Sequence, residues 1–131
     1  MENKLARFRS LGLLSALAAL LLTLSACGGG HREEPAQLRV ILHGAESQSE
    51  LLEAARTWLI GKGVDVLYLQ TDAKDIYNRS VLMLRTGDVD ARDRMLELTG
   101  VEVWIWARQE KPAAPFDLYI GEDINNLMDT Y

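Results

Sequence analysis

Between positions 38 and 120 the chain carries five short runs rich in branched and aromatic residues, at 38–42, 64–69, 80–84, 101–106 and 116–120. Runs this short, set between glycine, proline and polar clusters, suit strands, whereas a helix needs about ten residues or more. Two longer stretches separate them and place apolar residues three and four apart, which is helical spacing. The order is β-α-β-β-α-β-β. Strands with one buried face and helices with one apolar stripe are buried together when the helices cover one face of a sheet. The expected fold is therefore an α/β (α+β) two-layer sandwich, with two helices on one face of a mixed sheet. The domain spans 38–124, and 125–131 reads as a polar tail or a turn of helix.

Local signals set the boundaries. Ser47-Gln48-Ser49-Glu50 matches a capping box, in which the Ser47 hydroxyl accepts from the Glu50 amide and Glu50 reaches back. The helix that follows puts Leu51, Leu52, Ala55, Trp58 and Leu59 on one stripe, and Gly61 and Gly63 end it. Asp88 is the expected N-cap of the second helix, with Ala91, Met95 and Leu98 inward and Gly100 as its stop. In the fourth run Val101, Val103 and Ile105 share one face, and Glu102, Trp104 and Trp106 the other.

The first thirty residues have a different character. Lys4, Arg7 and Arg9 precede an almost wholly apolar stretch at 11–24, followed by Leu24-Ser25-Ala26 and the sole cysteine, Cys27. A bilayer-spanning helix needs about twenty apolar residues, so this stretch is short for a permanent span and suits a signal peptide at 1–26. Leu24-Ser25-Ala26-Cys27 resembles a bacterial lipobox. That resemblance implies cleavage between Ala26 and Cys27, a diacylglyceryl group on the Cys27 sulfur, and acylation of the new amino group. The polar, glycine-rich segment 27–37 reads as a flexible tether. Gly28 stands where an aspartate, by the same resemblance, would retain a lipoprotein in an inner membrane. The expected product is a lipoprotein of the bacterial cell envelope, membrane-bound through Cys27, with its domain outside the cytoplasm.

Within the domain, Leu42-His43-Gly44 closes the first strand, and Gly63-Val64-Asp65-Val66 opens the second. Ser80-Val81-Leu82-Met83-Leu84 follows, Leu98-Thr99-Gly100 ends the second helix, and Leu118-Tyr119-Ile120-Gly121-Glu122-Asp123 ends the last strand. In these motifs positions 38–123 resemble the C-terminal domain of LytR-type (LytR–CpsA–Psr) cell-envelope proteins, with His43 in place of the asparagine usual in the first turn. The resemblance implies a cell-envelope accessory domain. The family's catalytic domain has no counterpart here, and no catalytic residue carries over.

The chemistry the residues offer is sparse. One cysteine permits no intramolecular disulfide and no zinc-finger cluster. A net charge of −5 argues against nucleic-acid binding, and removal of the basic leader makes the remainder more acidic still. His43 reads as a turn residue rather than a general base. Asp72 with Asp75, and Glu122 with Asp123, are too few oxygens for calcium, and no cofactor or metal is expected. The expected function is a non-catalytic, lipid-anchored module that binds a partner protein or a cell-wall polymer. The alternative is a small envelope enzyme acting on glycans through carboxylates that the sequence does not pair. The candidate binding surface is the sheet face opposite the helices. It would carry Trp104 and Trp106, joined by Tyr119 and Asp117 if the fourth and fifth strands form a hairpin.

Overall fold

The structure, a computed structural model, describes residues 37–131. The expected signal peptide, the cleavage position at Ala26, the lipidated Cys27 and the tether up to position 36 lie outside the described residues. The elements run β1 (Arg39–His43), a single 3₁₀ turn (Glu46–Gln48), α1 (Ser49–Gly61), β2 (Asp65–Gln70), β3 (Val81–Leu84), α2 (Val89–Thr99), β4 (Val103–Trp106), β5 (Phe116–Tyr119) and α3 (Ile124–Thr130). All five expected strands and both expected helices are present. The fold is the expected α+β sandwich around one mixed sheet.

The sheet order is β2-β1-β5-β3-β4. β1 runs parallel to both β2 and β5, β3 runs parallel to β4, and β3 meets β5 antiparallel. β4 and β5 do not form a hairpin. The connection at 107–115 instead carries the chain past β3, fastened by Arg85 N–H to Pro115 O (2.8 Å) and Gln109 N–H to Arg85 O (3.0 Å). β5 then enters the centre of the sheet, between β1 and β3. Its composition suits that place, because Phe116 and Leu118 are fully buried, whereas Trp104, Ile105 and Trp106 of β4 stay exposed at the edge.

One face of the sheet carries Val40, Leu42, Leu82, Leu84, Phe116 and Leu118. It packs with Leu52, Ala55 and Leu59 of α1, Ala91 and Met95 of α2 and Ile124 of α3 in a single core. Trp104 and Trp106 are the register partners of Leu82 and Leu84, so they lie on this helix side. The Arg92 guanidinium of α2 sits 4.3 Å from the Trp104 ring centre. The expected assignment, with Val103 and Ile105 under the helices, is therefore inverted. Glu102 suggested that its parity faces water, but it precedes an edge strand whose two faces are both partly solvated. Alternation on such a strand does not report which face is the core.

Other ends differ in similar ways. No Ser47 capping box forms, because a 3₁₀ turn intervenes. Ala45 N–H instead donates to Gln48 Oε1 (3.0 Å), and α1 starts at Ser49. Asp88 caps α2 as expected, its carboxylate accepting from Ala91 N–H at 2.9 Å, and Gly100 closes it in the left-handed region at φ 67°. Leu98 packs partly buried against the core as expected, and Thr99 beside it is fully buried, its hydroxyl bonded to Met95 O at 2.7 Å. Trp58 is only partly buried beside the core, with Lys62 Nζ 5.5 Å from its ring centre. The expected tail is largely helix α3. Its Leu127 and Met128 pack on the core, and it sits on the helix side rather than over the opposite face.

Gly121 marks a backbone crossing. It bridges to Tyr77, its N–H donates to Ser80 Oγ at 3.0 Å, and a Cβ there would come within 2.3 Å of the Arg79 carbonyl carbon. A Cβ at Gly87 would meet nothing within 4 Å. Gly121→Ala should therefore cost about 1–3 kcal/mol through forced backbone movement, while Gly87→Ala should leave stability nearly unchanged. Urea denaturation of the two variants checks this, and equal midpoints would contradict the crossing.

Candidate functional site

The face opposite the helices is half open, and charge is buried at its middle. Parity puts Ile41 and His43 of β1, Asp117 and Tyr119 of β5, and Met83 of β3 on it, with Ile41 opposite Asp117 and His43 opposite Tyr119. Direct register explains why the His43 and Tyr119 rings stack, with centroids 4.3 Å apart and planes 10° apart. Arg85 follows the last residue of β3 and turns onto the same face.

These side chains form one hydrogen-bonded chain. Arg85 Nε donates to Asp117 Oδ2, and the same guanidinium reaches Ala107 O at 3.3 Å. His43 Nε2 lies 2.9 Å from Asp117 Oδ1, and His43 Nδ1 lies 3.2 Å from Asp72 Oδ1. Side-chain exposure is 7% for His43, 10% for Asp117 and 17% for Arg85, but 63% for Asp72. The network is thus buried at Asp117 and open to water at Asp72. A carboxylate accepts and does not donate, so contact with two carboxylates calls for a proton on each ring nitrogen. With both carboxylates ionised, that ring is an imidazolium.

The electrostatics agree. Burial works against a charge on His43, but the hydrogen bonds to Asp117 and Asp72 outweigh it and raise its pKa above the ordinary 6.5. Burial likewise works against ionising Asp117, but the hydrogen bonds from His43 and Arg85 outweigh it and hold the carboxyl below its ordinary 3.8. Burial, aided by the negative charges of Asp117 and Asp72, raises the Tyr119 phenol above its ordinary 10.0.

Beside this network lies a cleft of about 330 Å³, lined by Asp72, Ala73, Lys74, Asp75, Tyr77 and Tyr119. It sits where the parallel strands β1, β2 and β5 end. In sheets of this kind, ligands collect at the carboxyl ends of strands, where the connecting loops leave. Tyr77 meets Tyr119 edge-on at 5.9 Å. The loop that bears Tyr77 is held by Ala73 N–H to Gly44 O (3.2 Å) and Glu122 N–H to Tyr77 O (2.8 Å). A second cavity of about 230 Å³ is lined by His43, Arg85 and Asp117 together with Gln109, Ala113 and Ala114 of the β4–β5 connection.

The four residues expected to share a surface are divided. Tyr119 and Asp117 lie on the open face, with Asp117 buried rather than available to a ligand. Trp104 and Trp106 lie on the helix side, two strands away at the sheet edge. Acidic side chains of both pairs are engaged within the chain, Asp72 by His43 at 3.2 Å. Asp123 Oδ1 is committed to Ser80 N–H and Ser80 Oγ, both at 2.7 Å, and among the described residues no group of three or more His, Cys, Asp or Glu could hold a metal. Arg85 and Tyr77 were not singled out by sequence reasoning, and Asp72 was weighed only with Asp75 as a calcium pair. One signal pointed to the network: Asp117 interrupts the apolar Phe116-Asp117-Leu118 run of what proves to be a central strand, and a buried carboxylate needs a cationic partner. Compared with protein-family models, curated proteins and solved structures, the chain finds no match.

The pKa directions set a stability window. The folded state holds the His43 proton more tightly than the unfolded chain. Its contribution is therefore complete below pH 6.5 and is lost as pH rises through the raised value. The folded state holds Asp117 below its ordinary value, so its contribution is complete above pH 3.8 and is lost as pH falls below 3.8 through the depressed value. Denaturation free energy should peak on the mildly acidic side of neutrality and fall on both flanks. Asp117→Ala should cost about 3–5 kcal/mol by leaving Arg85 and His43 without their shared anion. A flat profile in urea titrations from about pH 2 to 9 would contradict the network.

Proposed function

We propose that this chain is a non-catalytic, lipid-anchored accessory module of the bacterial cell envelope, which binds a cell-wall polymer or a partner protein at the Tyr77–Tyr119 cleft. One observation carries the binding reading. The most enzyme-like residues of the domain are already committed, both ring nitrogens of His43 to carboxylates and both oxygens of Asp117 to His43 and Arg85. A general base needs a free lone pair near the proton it takes, and His43 in this arrangement has none. The network instead acts as a rivet beneath Tyr119, and fixes the aromatic wall of the cleft.

The cleft is suited to a sugar. Tyr77 is 44% exposed and offers an apolar ring face, while Asp72, Lys74 and Asp75 line the same cleft with polar groups for hydroxyls or amides. The envelope address rests on the basic, apolar, lipobox-like leader ending at Cys27 and on the resemblance of positions 38–123 to the LytR C-terminal domain. A lipid on Cys27 would supply the membrane attachment that an acidic domain lacks by charge.

Two measurements test this reading. Cys27→Ser should abolish incorporation of a fatty-acid probe and leave the precursor uncleaved, because serine is a far poorer nucleophile than a thiolate. Equal labelling of variant and wild type would remove the anchor. Tyr77→Ala should weaken retention of the detergent-solubilised chain on purified peptidoglycan by about tenfold, the scale of one hot-spot aromatic, with little change in melting temperature. Undiminished retention would remove the cleft as the binding site.

A further inference from the structure

We propose that the free edge of β4 pairs with the same edge of a second copy of this chain, antiparallel and in the register that sets Ile105 opposite Ile105. Among the described residues β4 is an outermost strand and pairs with β3 alone. Ala107 N–H donates to Leu84 O. Odd-numbered residues of this strand therefore turn their backbone groups toward β3, and the even-numbered Glu102, Trp104, Trp106 and Arg108 turn theirs outward. Such a row of backbone donors and acceptors is a template for another strand unless it is blunted. The opposite edge, β2, is blunted by a register shift opposite Val40 and Ile41 and by Asp65, which is held by Arg39 at 3.2 Å. The pairing of β4 shows no shift, and its Trp104, Ile105 and Trp106 are 39%, 46% and 57% exposed.

The sequence of the edge complements itself. A two-fold axis normal to the sheet keeps the helices of both copies on one side, and pairs even positions with even and odd with odd. Trp104-Ile105-Trp106 reads the same in both directions about Ile105. With the axis at Ile105, Trp104 meets Trp106 of the second copy, and Glu102 meets Arg108 of the second copy. These are the outward-facing positions, so they form the hydrogen-bonded pairs, while the two Ile105 residues form the closer, non-hydrogen-bonded pair at the axis. Glu102 also meets Arg79 of its own copy at 2.8 Å, which would place each carboxylate between two guanidinium groups. Charge selects this register. A shift of the partner strand by two residues one way sets Glu102 against Glu110, and the other way sets it against Trp106. The occupant that the edge specifies is therefore another copy of itself.

Cysteine cross-linking in the full chain tests both the pairing and its register, with wild type, which retains Cys27, as background. Ile105→Cys lies on the axis and should give a disulfide-linked dimer under mild oxidation. Trp106→Cys is at a more exposed position but faces Trp104 of the second copy, so it should cross-link little. In the Ile105→Cys chain, Arg108→Glu should abolish the cross-link, and adding Glu102→Arg should restore it. A monomeric Ile105→Cys chain, equal cross-linking at Trp106→Cys, or failure of the charge swap to remove and restore the dimer would each overturn the proposal.

Discussion

The structure turns on a carboxylate in an unusual place. Asp117 lies on β5, the central strand, with a buried side chain and buried neighbours on both sides. An isolated ionised carboxylate there would be prohibitively costly. Arg85 and His43 satisfy its two oxygens from the two adjacent strands, so one group ties β1, β5 and β3 together across the face that the helices leave uncovered. Through the other nitrogen of His43 the same network reaches Asp72, and with it the loop that shapes the cleft. Buried ion pairs often add little net stability over an apolar core. Their effect here is positional, because the charges are mutually satisfied only when β5 sits between β1 and β3.

The position of β5 also explains how the two surfaces arise. By inserting centrally, it leaves β4 as an edge, with its tryptophans partly exposed. It also places Tyr119 at the carboxyl ends of the parallel strands, against His43 and Tyr77. A hairpin of β4 and β5 would have merged these aromatics into one patch. The observed order separates them into a polar aromatic cleft and an apolar strand edge, which differ in chemistry and so in the partner each suits.

Much of the architecture was legible in the sequence, and the exceptions share a cause. Strand positions followed from branched runs such as Val40-Ile41-Leu42, and the ends of α2 from Asp88 and Gly100, because these signals act within a few residues. Strand order was not legible, since β1–β5 and β3–β5 pairing joins residues far apart in the chain. The company of Asp117 and the role of His43 were hidden for that reason, and the face of Trp104 because alternation on an edge strand does not mark the core side. His43 read as a turn residue because its partners Asp72 and Asp117 come from different loops and strands. Ser47 failed as a cap for a local reason, because Gln48 offered Ala45 N–H an alternative acceptor one turn earlier.

The central claim, that His43 is a buried imidazolium bridging two carboxylates, is tested most directly by nitrogen-15 NMR of the ring, assigned against His31→Gln. Both ring nitrogens should carry protons at neutral pH, and the ring should titrate above the ordinary histidine value of 6.5. A neutral ring at neutral pH, or a midpoint at or below 6.5, would contradict it.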